Sequence, residues 1–156
     1  KEQYIATNGF APGAILTSTQ VLTNLQRHAS LRVLASSLVG VLAQRLLRTL
    51  CVHCKTPYFA DAETRLRLDL KPTQTVALFR PQGCEHCQHG YRGRIGIYEL
   101  ISITEPVAAL IHRGASEREL IDATRKDSRS LFEAGRQRVL DGVTSVDEWL
   151  RVTQED

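Results

Sequence analysis

The chain contains 156 residues, of which 42% are hydrophobic and 24% are charged, as is ordinary for one globular domain with at most a small appendage. A formal net charge of +3 and an aromatic content of 6% argue against a general nucleic-acid-binding protein. No apolar run reaches the roughly 18 residues that a membrane-spanning helix needs. Methionine is absent even at position 1, so we expect the chain to begin inside a longer gene product or to have been processed.

Residues 1–30 are weakly patterned and are predicted to be a linker or the residual edge of a larger domain. Turn signals such as Asn8-Gly9 support this interpretation. Within the stretch, 14–19 has the character of a short strand and 21–28 that of a helix.

The strongest periodic pattern follows over residues 31–50. Apolar residues recur there at helical spacing, at Leu31, Leu34, Leu38, Val41, Leu42, Leu46 and Leu50. We therefore expect one long helix that ends directly at Cys51.

Shorter elements are predicted between residues 51 and 101. Asp61 is suited to cap a short helix that runs to about Leu70 and ends before Pro72. Residues 75–79 and 94–101 have the β-branched and apolar character of strands.

The last third of the chain is predicted to be helical, with clear sequence signals for where each helix begins and ends. Thr104 begins one helix that closes at Gly114, and a helix over 131–140 stops near Gly142. Trp149 is expected to pack inward. Two further helices begin with a capping box, formed by Ser116 with Glu119 and by Ser145 with Glu148.

The most specific motif is a set of four cysteines arranged as two CxxC pairs that lie 29 residues apart. A CxxC turn lets two thiolates converge, and two such turns supply the four sulfurs that a structural zinc ion prefers. The candidate metal ligands are all the cysteines of the chain: Cys51, Cys54, Cys84 and Cys87.

Four cysteines can also serve purposes other than zinc binding. Two disulfides would suit a secreted chain, but no secretory signal is visible and 156 residues can form a core without them. A thioredoxin-like redox site normally needs a single CxxC at a helix start. Rubredoxin-like iron has similar spacing, but we expect glycine after the second cysteine of each pair, where Lys55 and Gln88 stand. Zinc is therefore favoured.

Three histidines lie beside these cysteines, at positions 53, 86 and 89, and any of them could replace a cysteine as ligand. With four thiolates available, solvent-facing histidines are the favoured interpretation. Four thiolates and one zinc ion together carry −2, which would leave the folded chain at about +1.

The sequence contains no pattern typical of a catalytic site. A phosphate loop, a dinucleotide fingerprint, a GxSxG elbow and an HExxH pair are all missing. Gly90, Gly93 and Gly96 are spaced as GxxGxxG but do not open a helix. Because four sulfur ligands leave no open position for water or substrate, the zinc itself is predicted to be structural. We therefore predict no catalytic and no cofactor-binding residue in this chain.

Three segments carry a resemblance to a known family. They are LVGVLAQRLLRTLCVHCKTPY at 38–58, GCEHCQHGYRGRIGIYEL at 83–100 and GVTSVDEWLRVT at 142–153. Together they resemble the C-terminal part of type II secretion and type IV pilus assembly ATPases, the general secretion pathway protein E family. The resemblance covers about residues 31–156.

The resemblance implies an α+β chain, the mainly helical C-terminal region of a RecA-like secretion ATPase with a small tetracysteine zinc subdomain. The implied division is a linker or motor-domain edge at 1–30, a helix leading into the zinc subdomain at 31–50, the zinc subdomain at 51–100, and a C-terminal helical subdomain at 101–156. In such a protein, ATP and magnesium bind to sequence preceding Lys1.

The function that the resemblance implies is that of a docking and assembly module in a hexameric motor. The expected partners are the other subunits of the hexamer, the inner-membrane platform protein and associated cytoplasmic secretion components, with no nucleic acid. The expected location is the cytoplasmic face of the bacterial inner membrane, to which the protein would be peripheral.

A second hypothesis comes from a different class of protein. A zinc-ribbon nucleic-acid binder could use basic residues near the cysteines, namely Arg45, Arg48, Arg80, Arg92 and Arg94.

Overall fold

The computed structural model describes residues 17–28, 30–125 and 128–153. Within them the chain forms the helices α1 (Ser18–His28), α2 (Leu31–Ser37), α3 (Ala62–Arg67), α4 (Glu105–His112), α5 (Glu117–Thr124), α6 (Leu131–Leu140) and α7 (Val146–Thr153), and the strands β1 (Gly40–Leu50), β2 (Thr56–Phe59), β3 (Ala77–Arg80) and β4 (Tyr91–Ser102). This mixture of helices and strands confirms the predicted combination of both element types. No helix among the described residues is both long and apolar enough to cross a membrane.

The described residues form two compact units. The first combines residues up to Gln44 with Tyr98–Leu131, and the second combines Arg45–Ile97 with residues from Phe132 onward. Strands β1 and β4 pair with each other. Their direction is antiparallel, since the amide of Ile103 bonds to the carbonyl of Val39 while the amide of Cys51 bonds to the carbonyl of Gly90.

The first unit packs helices against the first part of β1 and the last part of β4. Ser18 anchors α1 to both strands, because its hydroxyl donates to the carbonyl of Glu99 (2.9 Å) and accepts from the amide of Ala43 (3.1 Å). Burying this polar group costs little, since both of its hydrogen-bonding functions are used. The core comprises Leu22, Val41, Ile101, Val107, Ile111 and Leu120.

The long helix predicted over residues 31–50 is wrong. Helix α2 ends at Ser37, and strand β1 begins at Gly40. In β1, Val41 and Ala43 are buried while Leu42 and Gln44 are exposed, as expected for a strand with one covered face. Apolar residues spaced three to four apart occur in both kinds of element, so short apolar runs do not discriminate between them. Pairing with β4 decided in favour of a strand.

The prediction for residues 14–28 was partly right. The helix expected over 21–28 is confirmed, and α1 extends it to Ser18. The strand expected over 14–19 is wrong at Ser18 and Thr19, which are helical, and residues 14–16 lie outside the described part.

The second unit contains a short antiparallel pair, β2 with β3, in which Thr56 lies opposite Arg80 and Phe59 opposite Ala77. The predicted helix between them is confirmed, with the Asp61 side chain accepting from the Thr64 amide (2.8 Å). The helix ends earlier than expected, at Arg67. The strand predicted over residues 75–79 is observed as β3, which begins two residues later and ends one residue later, at Arg80. The core of this unit comprises Leu68, Leu78, Val139, Val146 and Trp149.

Trp149 is fully buried, as predicted, and its indole N–H donates to the carbonyl of Phe132 (3.0 Å). Gly135 makes room for it, since a side-chain carbon at that position would lie 2.6 Å from the indole ring. The absence of a side chain at Gly135 thus allows α6 and α7 to approach closely.

Most of the predicted helix boundaries in the last third are confirmed. Helix α4 is followed by Gly114 and α6 by Gly142, both with the left-handed backbone that closes helices. The capping box of Ser116 and Glu119 is present with both of its hydrogen bonds. Strand β4 contains the predicted 94–101 segment.

The second predicted capping box is only half formed. The amide of Glu148 donates to the hydroxyl of Ser145 (3.2 Å), as in a capping box. The carboxylate of Glu148 instead accepts hydrogen bonds from Arg48 (2.7 Å) and Arg151 (2.7 Å) and from the Arg48 backbone amide (3.0 Å). A cap predicted from local sequence has become a contact with β1.

The Glu148 carboxylate is completely buried, so its ionisation depends on these partners. Burial alone would raise its pKa, but the hydrogen bonds from Arg151 and Arg48 outweigh burial and lower the pKa to about 2. Because the folded pKa lies below the unfolded value, the charged carboxylate stabilises the fold above the unfolded pKa, and this stabilisation is lost as the pH falls toward about 2.

Replacing Glu148 with glutamine should therefore lower the free energy of unfolding at pH 7 by about 3 kcal/mol, because it removes the buried negative charge that accepts from the partly exposed Arg48 and the exposed Arg151. The deficit relative to the unmodified chain should shrink as the pH falls from about 5 to 2. Urea unfolding at several pH values measures both effects.

The control for this experiment is Glu63→Gln, which removes an exposed i,i+4 pair with Arg67. We expect it to change the free energy of unfolding by about 0.5 kcal/mol or less. A Glu148→Gln deficit that stays constant down to pH 2 would contradict the assigned ion cluster.

Candidate metal centre

The first CxxC pair follows the end of β1 in a tight turn. Each CxxC turn is called a knuckle here. The amide of Cys51 extends the pairing of β1 and β4 toward the second knuckle by donating to the carbonyl of Gly90 (2.8 Å). The carbonyl of Cys51 then accepts from the amides of Cys54 (3.3 Å) and Lys55 (3.0 Å). This turn brings the side chains of Cys51 and Cys54 to the same side of the backbone.

The second CxxC pair precedes β4 and turns in the same way. The amide of Cys87 donates to the carbonyl of Cys84 (3.2 Å), and Gln88 and Tyr91 exchange two backbone hydrogen bonds of 3.0 Å. Gly90 has a φ of +85°, and a side-chain carbon there would lie 2.3 Å from the Cβ of Pro81. Glycine is therefore required for this knuckle to close.

The four cysteine sulfurs converge on one point. The Sγ–Sγ distances are 3.9 Å for Cys51 and Cys84, 3.7 Å for Cys54 and Cys87, and 3.6 Å for Cys84 and Cys87. All four sulfurs lie within 4.8 Å of one another. A tetrahedral metal with bonds of about 2.3 Å places its sulfurs about 3.8 Å apart, and a disulfide needs about 2.05 Å. The four cysteines could therefore hold a metal ion, and their spacing is that of free thiols.

Backbone amides point at two of the sulfurs. The amide of Gly83 donates to the Sγ of Cys54 (3.3 Å), and the amide of Cys84 donates to the Sγ of Cys87 (3.3 Å). Such donors stabilise the negative charge of a thiolate. The only sequence signal for these donors was Gly83, a glycine that gives the backbone conformational freedom directly before Cys84.

The two amide donors do not come from the positions at which a rubredoxin-like iron site was expected to carry glycine. They belong to Gly83 and Cys84, whereas the expected glycines would follow Cys54 and Cys87, where Lys55 and Gln88 stand. The preference for zinc over iron therefore stays a prediction.

The thiols do not ionise independently. Desolvation raises the pKa of Cys87, but hydrogen bonds from the Cys84 amide and thiol outweigh it and lower the pKa to about 7. For Cys84 a hydrogen bond from the His86 amide lowers the pKa, but desolvation and the neighbouring thiols outweigh it and raise the pKa to about 12. Charge on one sulfur thus disfavours charge on the next, and a bound divalent cation would offset that repulsion.

The three nearby histidines are exposed, as predicted. The rings of His53 and His86 lie 4.9 Å apart, centre to centre. Among the described residues, the group that could hold a metal consists of the four cysteines and includes no histidine.

The five arginines considered for nucleic-acid binding are in different situations. Arg48 bonds to Glu148 and lies 4.2 Å from the ring centre of Tyr91, which leaves it poorly placed to contact phosphate. Arg80 bonds to the hydroxyl of Thr56 (3.4 Å), while Arg92 and Arg94 are exposed on β4. The nucleic-acid hypothesis thus loses one of its cations and stays a prediction.

Comparison with known proteins gives a consistent result. The family model described as "Type II/IV secretion system protein" matches residues 15–151. The type II secretion system protein E of Pseudomonas aeruginosa is 48% identical over 125 residues, which are 80% of this chain and 25% of that protein.

Two other relatives show similar coverage. The type II secretion system ATPase E of Vibrio cholerae is 45% identical over 79% of this chain and 25% of its own length. The type IV pilus assembly ATPase PilB of Pseudomonas aeruginosa is 36% identical over 78% of this chain and 22% of its own length. This chain therefore spans about a quarter of the length of these curated relatives. The family match over most of its residues shows that the chain belongs to the type II/IV secretion system protein family.

Proposed function

We propose that this chain is the zinc-binding part of an ATPase that powers type II secretion or type IV pilus assembly, and that it serves there as a structural and docking module. The observation that carries this proposal is the convergence of four sulfurs within 4.8 Å of one another, with three of their separations close to the value of about 3.8 Å of a tetrahedral zinc site. Family membership supplies the setting, since relatives carry the names of secretion and pilus assembly ATPases.

In this proposal the metal is zinc, and its ligands are Cys51, Cys54, Cys84 and Cys87. A closed set of four sulfurs leaves no position for water or substrate, so the zinc contributes folding energy rather than catalysis. The amide donors at Cys54 and Cys87 support such a site because they stabilise the thiolate form of the ligands.

The remaining parts of the proposal concern the longer protein. ATP and magnesium would bind to a RecA-like motor domain outside this chain, and six copies would assemble at the cytoplasmic face of the bacterial inner membrane. Residues 51–100 would form the zinc subdomain, and 101–156 would form a helical subdomain. The partners would be neighbouring subunits, the inner-membrane platform protein and associated secretion components.

Metal analysis of the purified chain under reducing conditions tests the centre of this proposal. We expect about one zinc per chain, and we expect Cys54→Ser to reduce zinc retention and to destabilise the second unit, because a ligand and its amide contact are lost. The matched control is His86→Gln, an exposed substitution in the second knuckle that should retain zinc. Less than about one metal per chain would contradict the proposed site, and bound iron would contradict zinc.

A binding experiment tests the docking role. The zinc-loaded chain should bind the cytoplasmic part of the platform protein from the same secretion system, and Cys54→Ser should weaken that binding while His86→Gln retains it. The chain alone should show no ATP hydrolysis, since it contains no phosphate loop.

Two results would redirect the proposal. ATP hydrolysis by the isolated chain, abolished by Cys54→Ser, would contradict a docking role. Strongly salt-dependent binding to DNA or RNA, without binding to the platform protein, would favour the zinc-ribbon alternative.

A further inference from the structure

The turn between α6 and α7 contacts residues on both sides of the candidate metal centre. We define residues 142–145 as the clamp loop. On the side of the first cysteine pair, the amide of Leu50 donates to the carbonyl of Val143 (2.8 Å). The hydroxyl of Thr144, which is fully buried, donates to the carbonyl of Arg48 (2.8 Å). The end of β1, immediately before Cys51, is thus held by two hydrogen bonds to the clamp loop.

Two further contacts complete the attachment. Lys55 directly follows Cys54, and its ammonium group donates to the carbonyl of Gly142 (2.9 Å). On the side of the second cysteine pair, the hydroxyls of Tyr91 and Ser145 share a buried hydrogen bond of 2.7 Å. The clamp loop therefore bonds to the flanks of both knuckles.

The clamp loop also begins helix α7. The hydroxyl of Ser145 accepts from the amide of Glu148 (3.2 Å), and its carbonyl accepts from the amide of Trp149 (3.1 Å). The carboxylate of Glu148 in turn accepts from the backbone amide and the guanidinium of Arg48. The first turn of α7 is thus positioned by residues that flank the cysteines.

We infer that metal binding at the four cysteines orders the clamp loop and the first turn of α7. This inference rests on the proposed function only in requiring that the cysteines bind a metal. A metal fixes the two knuckles relative to each other. Because the clamp loop bonds to both flanks, all four of its contacts can form together only when that relative position is kept.

Coupling of this kind is reciprocal, so the clamp loop should also strengthen metal binding. The end of α3 provides a contrast within the same unit. The amide of Leu68 there donates to the carbonyl of Thr64 (3.0 Å), and the carbonyl of Leu68 accepts from Arg136 (2.7 Å); neither partner belongs to the clamp loop. Helix α6 is itself joined to the clamp loop, since the amide of Val143 donates to the carbonyl of Arg138 (3.0 Å). We therefore expect the end of α3 to respond much less to the metal than the start of α7.

Amide hydrogen exchange followed by NMR tests this inference on the full chain. It compares the zinc-loaded protein with protein treated with a chelator, and metal analysis confirms zinc content in each sample. Exchange at the amides of Leu50 and Glu148 should become about tenfold faster without zinc, the order expected when about one hydrogen bond is lost. The amide of Leu68, which donates to the carbonyl of Thr64 at the end of α3, should change by about twofold or less.

A double variant separates the clamp from the metal site. Lys55→Met with Thr144→Val removes two clamp contacts and leaves all four cysteines in place. We expect it to bind zinc more weakly than the unmodified chain and to show fast exchange at Glu148 even with zinc bound. The control, Lys71→Met with Thr73→Val, makes the same chemical changes at exposed positions of the same unit and should behave like the unmodified chain.

The outcomes distinguish the two proposals. If the chain binds no metal, the proposed function fails. If zinc binds and its removal leaves exchange at Leu50 and Glu148 unchanged, the inference fails while the metal site stands. Loss of protection at Leu68 as large as that at Glu148 also overturns the inference, because it would show general unfolding instead of an effect on the clamp loop.

Discussion

The backbone hydrogen bond between Cys51 and Gly90 joins the end of β1 to the residue that precedes β4, and the candidate metal centre depends on this pairing. Each cysteine pair occupies a tight turn next to one of these strands, so the pairing brings the two turns face to face. Gly90 permits it, since its backbone passes too close to Pro81 for any side chain. The four sulfurs converge because two distant parts of the chain meet at this point.

The end of β1 also supplies the charge that balances a buried carboxylate in α7. Arg48 lies three residues before Cys51, and both its backbone and its side chain bond to the buried carboxylate of Glu148. A buried carboxylate without such partners would be strongly destabilising. The cysteines, the end of β1 and α7 are therefore connected by hydrogen bonds within the second unit. We expect a substitution at any one of them to alter the stability of the other two.

Predictions from local sequence patterns were right where the interacting residues are close together in the sequence. The cap at Asp61, the capping box at Ser116 and the glycine closures at Gly114 and Gly142 involve residues within a few positions of each other, and all are present. The helix over 31–50 failed because its apolar spacing suits either element, and β4, about fifty residues later in the chain, determined which one formed. The capping box predicted at Glu148 is also incomplete because of a distant residue, since its carboxylate bonds to Arg48, 100 positions earlier in the chain.

The sequence alone determined which four residues could hold a metal, because two CxxC turns place thiols together wherever the turns themselves meet. It also determined the family, since that depends on the order of residues and not on their positions in space. Only the tertiary structure decided that β1 is a strand, that the amide of Gly83 reaches the sulfur of Cys54, and that the clamp loop bonds to the flanks of both knuckles. Those features depend on contacts between residues 29 to 96 positions apart, and no local pattern encodes them.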